Sequence, residues 1–175
     1  FDFDGVILDT VDIKTKAFYE VFKKYGQNIS EAIVEFHNKN GGISRYKKIE
    51  YINLNYLNGD LDENEMNRIA LNFSKIVKYK IEKANFIVGA KEFLIKNNKI
   101  YKLFISTGTP ENEILDIISK RNIRDYFVEI YGSPSSKENH IDSIIKKNNL
   151  NKNETVFIGD SITDFNAAYN KNIFF

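Results

Sequence analysis

The 175-residue chain has no cysteine and no tryptophan, two prolines and a single methionine. Without cysteine there are no disulfides, no thiolate nucleophile and no cysteine-ligated zinc or iron–sulfur centre. An excess of one charge is also lacking: 25 Lys and Arg stand against 24 Asp and Glu, a formal net charge of +1. No strong field therefore recruits nucleic acid or an anionic membrane, and no run of like charge suggests a tail. No apolar run reaches the roughly 18 residues of a membrane helix, and no signal peptide is visible. These absences set the expectation of a cytoplasmic protein with neither a nucleic-acid nor a membrane partner. The two histidines, His37 and His140, have no metal partner at helical spacing and read as surface or capping residues.

The remaining composition is that of an ordinary globular protein, 42% hydrophobic and 28% charged. The length suffices for one domain and a small second one. Phe1–Asp4 reads as the end of a buried strand, and Asn172–Phe175 as a strand just begun. A strand usually needs about five residues, so a few residues are expected to be missing at each end.

Three stretches follow one another. A strand end and a turn at Gly5 run to about Thr10. From about Val11 to Phe86 the pattern is almost entirely helical. Ala17, Phe18, Val21, Phe22 and Tyr25 recur at helical spacing before Gly26. Ile49, Ile52, Leu54 and Tyr56 fit a second helix, and Met66, Ile69, Ala70, Phe73, Ile76, Val77 and Ile81 a third. A polar loop, Asn38–Gly42, lies between. From about Ala90 strand and helix alternate: a strand at Ile100–Ser106, and a helix entered at Pro110 with a core face of Ile114, Leu115, Ile117 and Ile118. A strand at Phe127–Tyr131, a helix at Lys137–Lys147, a strand at Thr155–Gly159 and a helix at Thr163–Asn170 complete the series. Such alternation predicts an α/β fold, a parallel sheet with helices on both faces, whose ligands bind beyond the carboxyl ends of the strands.

Those strand ends carry Asp2-Phe3-Asp4-Gly5, then Ser106-Thr107-Gly108, then Lys137, and last Gly159-Asp160-Ser161 with Asp164 one turn on. Carboxylates brought that close raise one another's pKa unless a cation neutralises them. With neither histidine nor cysteine at hand, a hard divalent ion, Mg²⁺, is the expected ligand. A clamped cation, a lysine and hydroxyl or backbone donors suit phosphoryl transfer. One aspartate would attack, and a second would move the proton. The bland readings are a turn aspartate for Asp2 or Asp4, helix caps for Ser106 and Thr107, a solvated Lys137, and a helix-end charge for Asp164. Arg45 and Lys47, after the Gly41-Gly42 loop, read either as contacts to a substrate's leaving group or as solvated charges.

Asp2-Phe3-Asp4-Gly5-Val6-Ile7-Leu8-Asp9-Thr10 resembles the first motif of the haloacid dehalogenase-like hydrolases. Ser106-Thr107 is similar to their second motif, Lys137 to their third, and Gly159-Asp160-Ser161-Ile162-Thr163-Asp164 to their fourth. The resemblance covers nearly the whole chain. It implies a Rossmann-like core over 1–11 and 87–175, with an all-helical cap inserted at 12–86 as in the phosphoglycolate phosphatase-like subgroup. It implies Asp2 as nucleophile and Asp4 as acid/base. Mg²⁺ would be held by Asp2, the Asp4 carbonyl and Asp160, with Asp164 near, and phosphate by Ser106, Thr107, Gly108 and Lys137. The second aspartate, absent from dehalogenating and phosphonate-cleaving members, favours a phosphate ester or anhydride. The expected activity is that of a phosphatase acting on a small phosphorylated metabolite through an aspartyl-phosphate. A sugar phosphomutase would share that intermediate. A receiver domain also gathers aspartates, a hydroxyl and a lysine around Mg²⁺, but its acidic pair is adjacent and it has no long insert. A catalytically silent binding relative is disfavoured because every chemical position is filled.

Overall fold

A computed structural model describes residues 1–175. Four helices come first, α1 (Val11–Phe22), α2 (Gln27–Lys39), α3 (Arg45–Tyr56) and α4 (Glu63–Glu82). The α/β part follows: α5 (Ala90–Asn97), β1 (Phe104–Pro110), α6 (Glu111–Lys120), β2 (Glu129–Ser133), α7 (Lys137–Asn148) and α8 (Ile162–Lys171). No helix is long and apolar enough to cross a membrane.

The long stripe read along α4 is its buried face: Ile69, Ala70, Phe73, Val77 and Ile81 are all in the core. Asp62 caps the helix by accepting from the Glu65 amide at 2.7 Å. Phe18 of α1 packs against Phe73, ring centroids 4.7 Å apart, and against His37 at 4.3 Å. On α3 the core positions are Ile49, Ile52 and Asn53, while Leu54 is 66% exposed. A 100° step per residue carries Leu54 off the buried face. Asn53 earns burial by accepting from the Leu61 amide at 2.9 Å and donating to its carbonyl at 3.0 Å. Leu115 departs from expectation in the same way, turned outward beside buried Ile114, Ile117 and Ile118.

β1 and β2 run parallel, with Phe104 opposite Glu129 and Ser106 opposite Tyr131. Hydrogen bonds extend this pair into a wider layer. The Ser106 amide donates to the Phe1 carbonyl at 2.9 Å, and the Asp2 amide to the Ile158 carbonyl at 2.8 Å. Phe157 in turn donates to Phe174 at 2.8 Å. The segments at residues 1–4 and 155–159 thus lie where strands were expected, joined by single bonds and bridges rather than continuous ladders. β1 begins at Phe104, later than the expected Ile100, because the Ile100 and Tyr101 amides still bond the Asn97 carbonyl and wind off the end of α5.

Two apolar clusters divide the helices. One joins the interior of α1–α4 to Phe3, Leu94, Ile105 and the inner face of α6. The other, Ile141, Phe157, Ala167 and Ala168, lies under α7 and α8. Their arrangement brings the carboxyl ends of β1 and β2, the turn after Asp2 and the start of α8 to one place.

Candidate active site

The chain turns sharply after Asp2. Gly5 has φ +77°, its amide bonds the Leu8 carbonyl at 2.8 Å, and Ile7 bonds back to Phe3 at 2.9 Å. A Cβ at Gly5 would lie 2.1 Å from Asp160 Oδ2, so only glycine both takes this backbone and leaves room for that carboxylate. The turn sends the two aspartates to different neighbours. Asp2, Asp160 and Asp164 each offer one carboxylate oxygen within 4.8 Å of the others. The Asp4 carboxylate lies outside this group. It accepts from Thr10 Oγ1 at 2.6 Å, Lys14 Nζ at 2.5 Å and Thr109 Oγ1 at 3.0 Å.

Burial pushes Asp2 up to about 6, and the neighbouring Asp164 and Asp4 add to this against the pull of Lys137. Burial and Asp164 also hold Asp160 above the usual carboxylate range. Lys137, the first residue of α7, bonds Asp164 and stands 3.2 Å from Asp2 Oδ1. Burial disfavours its charge, but Asp2 and Asp164 outweigh burial and raise it above an ordinary lysine. Asp4 behaves in the opposite way to Asp2. Burial would raise it, yet the charge and hydrogen bond of Lys14, with Thr10 and Thr109, keep it below the usual range. Asp164 is fixed by a capping box, in which its Oδ2 accepts from the Ser161 amide at 3.2 Å while Ser161 Oγ accepts from the Asp164 amide at 3.4 Å.

These residues fit a divalent cation. Three carboxylates against one ammonium leave two negative charges, and Asp2 Oδ1 faces only the Lys137 ammonium, 3.2 Å away and shared with Asp164. Buried carboxylates in excess of their counter-charge are costly unless a further cation meets them.

Two cavities adjoin the cluster. One of about 410 Å³ is lined by Asp2, Asp4, Lys14, His37, Lys48 and Asp160 among others. A smaller one of about 230 Å³ is lined by Thr107, Gly108, Ser133, Lys137 and Thr163. Gly42 reaches both, and Thr163 Oγ1 donates to the Gly41 carbonyl at 2.8 Å, tying the loop after α2 to the mouth of the site. Thr107 and Gly108 thus stand with Lys137, whereas the Ser106 hydroxyl is 2.9 Å from His140 Nδ1 and lines neither cavity.

Arg45 reaches the larger cavity, but its guanidinium is committed to Glu113 at 2.5 Å and to Ser74. Lys47 is exposed on the rim of the smaller cavity. The histidines are not surface residues: His140 is 1% exposed, bonded to Ser106 and to the Gly132 carbonyl, and His37 is buried against Phe18 and Lys48. Lys14, Thr109 and Lys48 went unremarked in the sequence, and His37 was read only as a surface or capping residue. A signal existed for two of them. Lys14 lies one turn beyond Thr10 on α1, and Lys48 lies between Arg45 and Ile52 on the buried side of α3.

A family described as haloacid dehalogenase-like hydrolase matches residues 1–175. The phosphorylated carbohydrates phosphatase of Thermotoga maritima is 26% identical over 133 residues, 75% of this chain. The match spans 59% of the length of that relative. A predicted phosphoglycolate phosphatase from Haemophilus somnus superposes with a TM-score of 0.75 at 17% identity, over 99% of this chain and 80% of that one. A Thermotoga maritima protein assigned as a beta-phosphoglucomutase does so with a TM-score of 0.66 at 19% identity, over 99% and 80%. At such identities the likeness is one of fold.

Proposed function

The chain belongs to the haloacid dehalogenase-like hydrolase family, and from that membership and its site we propose that it is a Mg²⁺-dependent phosphatase of small phosphorylated metabolites. The observation that carries the reading is the contrast between its two aspartates. Asp2 is buried among Lys137, Asp160 and Asp164, its Oδ1 facing only the shared Lys137 ammonium at 3.2 Å, while Asp4, two residues on, is wrapped in donors. Two carboxylates whose surroundings push their pKa values apart are suited to different roles.

In this reading Asp2 attacks phosphorus and carries the phosphoryl group. Thr107, the Gly108 amide and Lys137 hold its oxygens. Asp4 protonates the departing oxygen and then takes a proton from the water that hydrolyses the aspartyl-phosphate. Lys14 keeps Asp4 ionised and ready for the second half, and an incoming phosphoryl dianion beside it raises its pKa for the first. Asp2, the Asp4 carbonyl, Asp160 and Asp164 would hold Mg²⁺, which when bound offsets charge developing on the phosphoryl oxygens. Residues 12–86 act as the cap, supported by the Gly41-Gly42 loop on the site. Covering the site excludes water and bulky partners, which favours small metabolites.

Phosphate release from p-nitrophenyl phosphate tests the proposal. Turnover that needs Mg²⁺ and disappears in Asp2→Asn is expected; turnover retained by Asp2→Asn would overturn it. Dependence on a sugar bisphosphate would instead identify the phosphomutase that shares the intermediate.

A further inference from the structure

The cavity that holds Asp4 contains one cation with no carboxylate of its own. Lys14 is paired with Asp4, Arg45 with Glu113, and Lys39, exposed at the rim, with Glu35. Lys137, which serves the smaller cavity, is paired with Asp2 and Asp164. Lys48 lines the larger cavity, is 3% exposed and forms no ion pair. Its ammonium is nevertheless held in place. His37 accepts from it at Nδ1 across 2.9 Å and at its carbonyl across 3.2 Å. Phe18 lies beneath, its ring centroid 5.6 Å from Nζ. An ammonium has three donors, so one remains. A buried lysine without a counter-ion is costly. Burial, with Lys14 nearby, pushes Lys48 down to about 7. Burial and the Lys48 charge push His37 down to about 3, which keeps it neutral and able to accept.

We propose that Lys48 is an anion receptor for the leaving group, so that the preferred substrate carries a second anion, a carboxylate or a second phosphate, beyond the phosphoryl group that is transferred. The inference rests on the phosphatase reading above. That reading puts the transferred phosphoryl between Asp2, which lines the larger cavity, and Thr107, Gly108 and Lys137, which line the smaller, at the junction that Gly108 shares. The remainder of the substrate then lies beside Asp4 in the larger one, whose volume of about 410 Å³ suits a small metabolite. A second anion there supplies the counter-ion that Lys48 lacks. A neutral hydroxyl in the same place leaves the buried charge unpaired.

Matched phosphomonoesters test this. One pair ends in a carboxylate or its amide, another in a second phosphate or a hydroxyl, and kcat/KM is measured for wild type, Lys48→Met and Lys48→Arg. Wild type is expected to favour the anionic member of at least one pair by about 10- to 100-fold, and the pair that shows it identifies the anion. Lys48→Met, which replaces a buried charge with an apolar chain of similar length, is expected to lose that ratio, and Lys48→Arg to retain a preference. Equal treatment of both pairs by wild type, or an undiminished ratio in Lys48→Met, overturns the inference. Dissociation constants for the same pairs, measured by calorimetry on Asp2→Asn with Mg²⁺ and on its Lys48→Met derivative, give the same comparison without turnover. Phosphate release that survives Asp2→Asn would sink the phosphatase reading itself; equal treatment of the pairs with an inactive Asp2→Asn sinks only the role of Lys48.

Discussion

Lys14, on the first turn of α1, reaches across to the carboxylate of Asp4 at 2.5 Å and to Thr109 Oγ1 at 2.8 Å, joining α1, the turn after Asp2 and the end of β1 through one ammonium. Its charge keeps Asp4 ionised below the usual carboxylate range. In Lys14→Met burial acts without that opposition and the pKa of Asp4 rises. The alkaline limb of the kcat/KM profile, set by Asp4 as the acid of the first step, therefore moves to higher pH, and kcat falls by about 100-fold, as for a misplaced catalytic group. The stability sign is that of a depressed acid. The Lys14–Asp4 pair stabilises the fold above the unfolded pKa and ceases to do so as pH falls through the folded value. Melting curves of wild type and variant should accordingly converge on acidification.

Asp2 gives the opposite sign. Its folded pKa, about 6, lies above the unfolded value of about 3.9. The metal-free fold is thus more stable at low pH and loses stability as pH rises between those values. In chelator, Asp2→Asn should melt higher than wild type at pH 7, by about 2–4 °C per kcal/mol, and the gap should close toward pH 4. Added Mg²⁺ should raise the melting temperature of wild type far more than that of the variant.

Much of this site was legible because its chemistry sits in short strings at strand ends. Asp2, Asp160, Asp164, Lys137, Thr107 and Gly108 come together as topology requires once the α/β alternation is recognised. The helical stripe of α4 was equally plain, since burial on one face imposes its period over many residues. What the sequence hid depends on rotation and on distant partners. Leu54 and Leu115 look like core residues until a helix is set against its neighbours. Lys14 and Lys48 look like surface charges because their partners, Asp4 and His37, lie 10 and 11 residues away and are met only after the chain turns back. The strand limits were hidden too, because residues 1–4 and 155–159 bond through isolated contacts that no alternation announces.

Gly42 is where the helical region meets the smaller cavity. Its φ is +77°, and a Cβ there would fall 2.1 Å from Thr163 Oγ1 and 3.0 Å from Lys137 Nζ. Gly42→Ala should cost about 1–2 kcal/mol for the left-handed backbone and lift the loop from α8. If residues 12–86 close over the site, kcat and KM change together, as for other gating positions. Thr163→Val, which removes the bonds to the Gly41 carbonyl and to the Ser161 hydroxyl, should move both constants in the same direction by a smaller factor. An unchanged KM in both variants would count against a closing loop.

Arg45 decides between two roles. The sequence allowed it to be a substrate contact, yet its guanidinium is 4% exposed, bidentate on Glu113 and 4.7 Å from the centre of the Phe73 ring. Glu113 belongs to α6 and also accepts from Ser74 of α4 at 2.8 Å, so the pair fastens the helical region to the α/β part. Removing one partner strands the other. Arg45→Met should lower stability by about 3 kcal/mol, and Glu113→Gln by a smaller amount because Glu113 is more exposed. Their combination should fall short of additivity by roughly 0.5–3 kcal/mol, as residues in one network do. Urea denaturation of the four proteins measures that coupling. A raised KM in Arg45→Met with an unshifted denaturation midpoint would return Arg45 to the substrate; coupling with Glu113 makes it a fastener between the two parts.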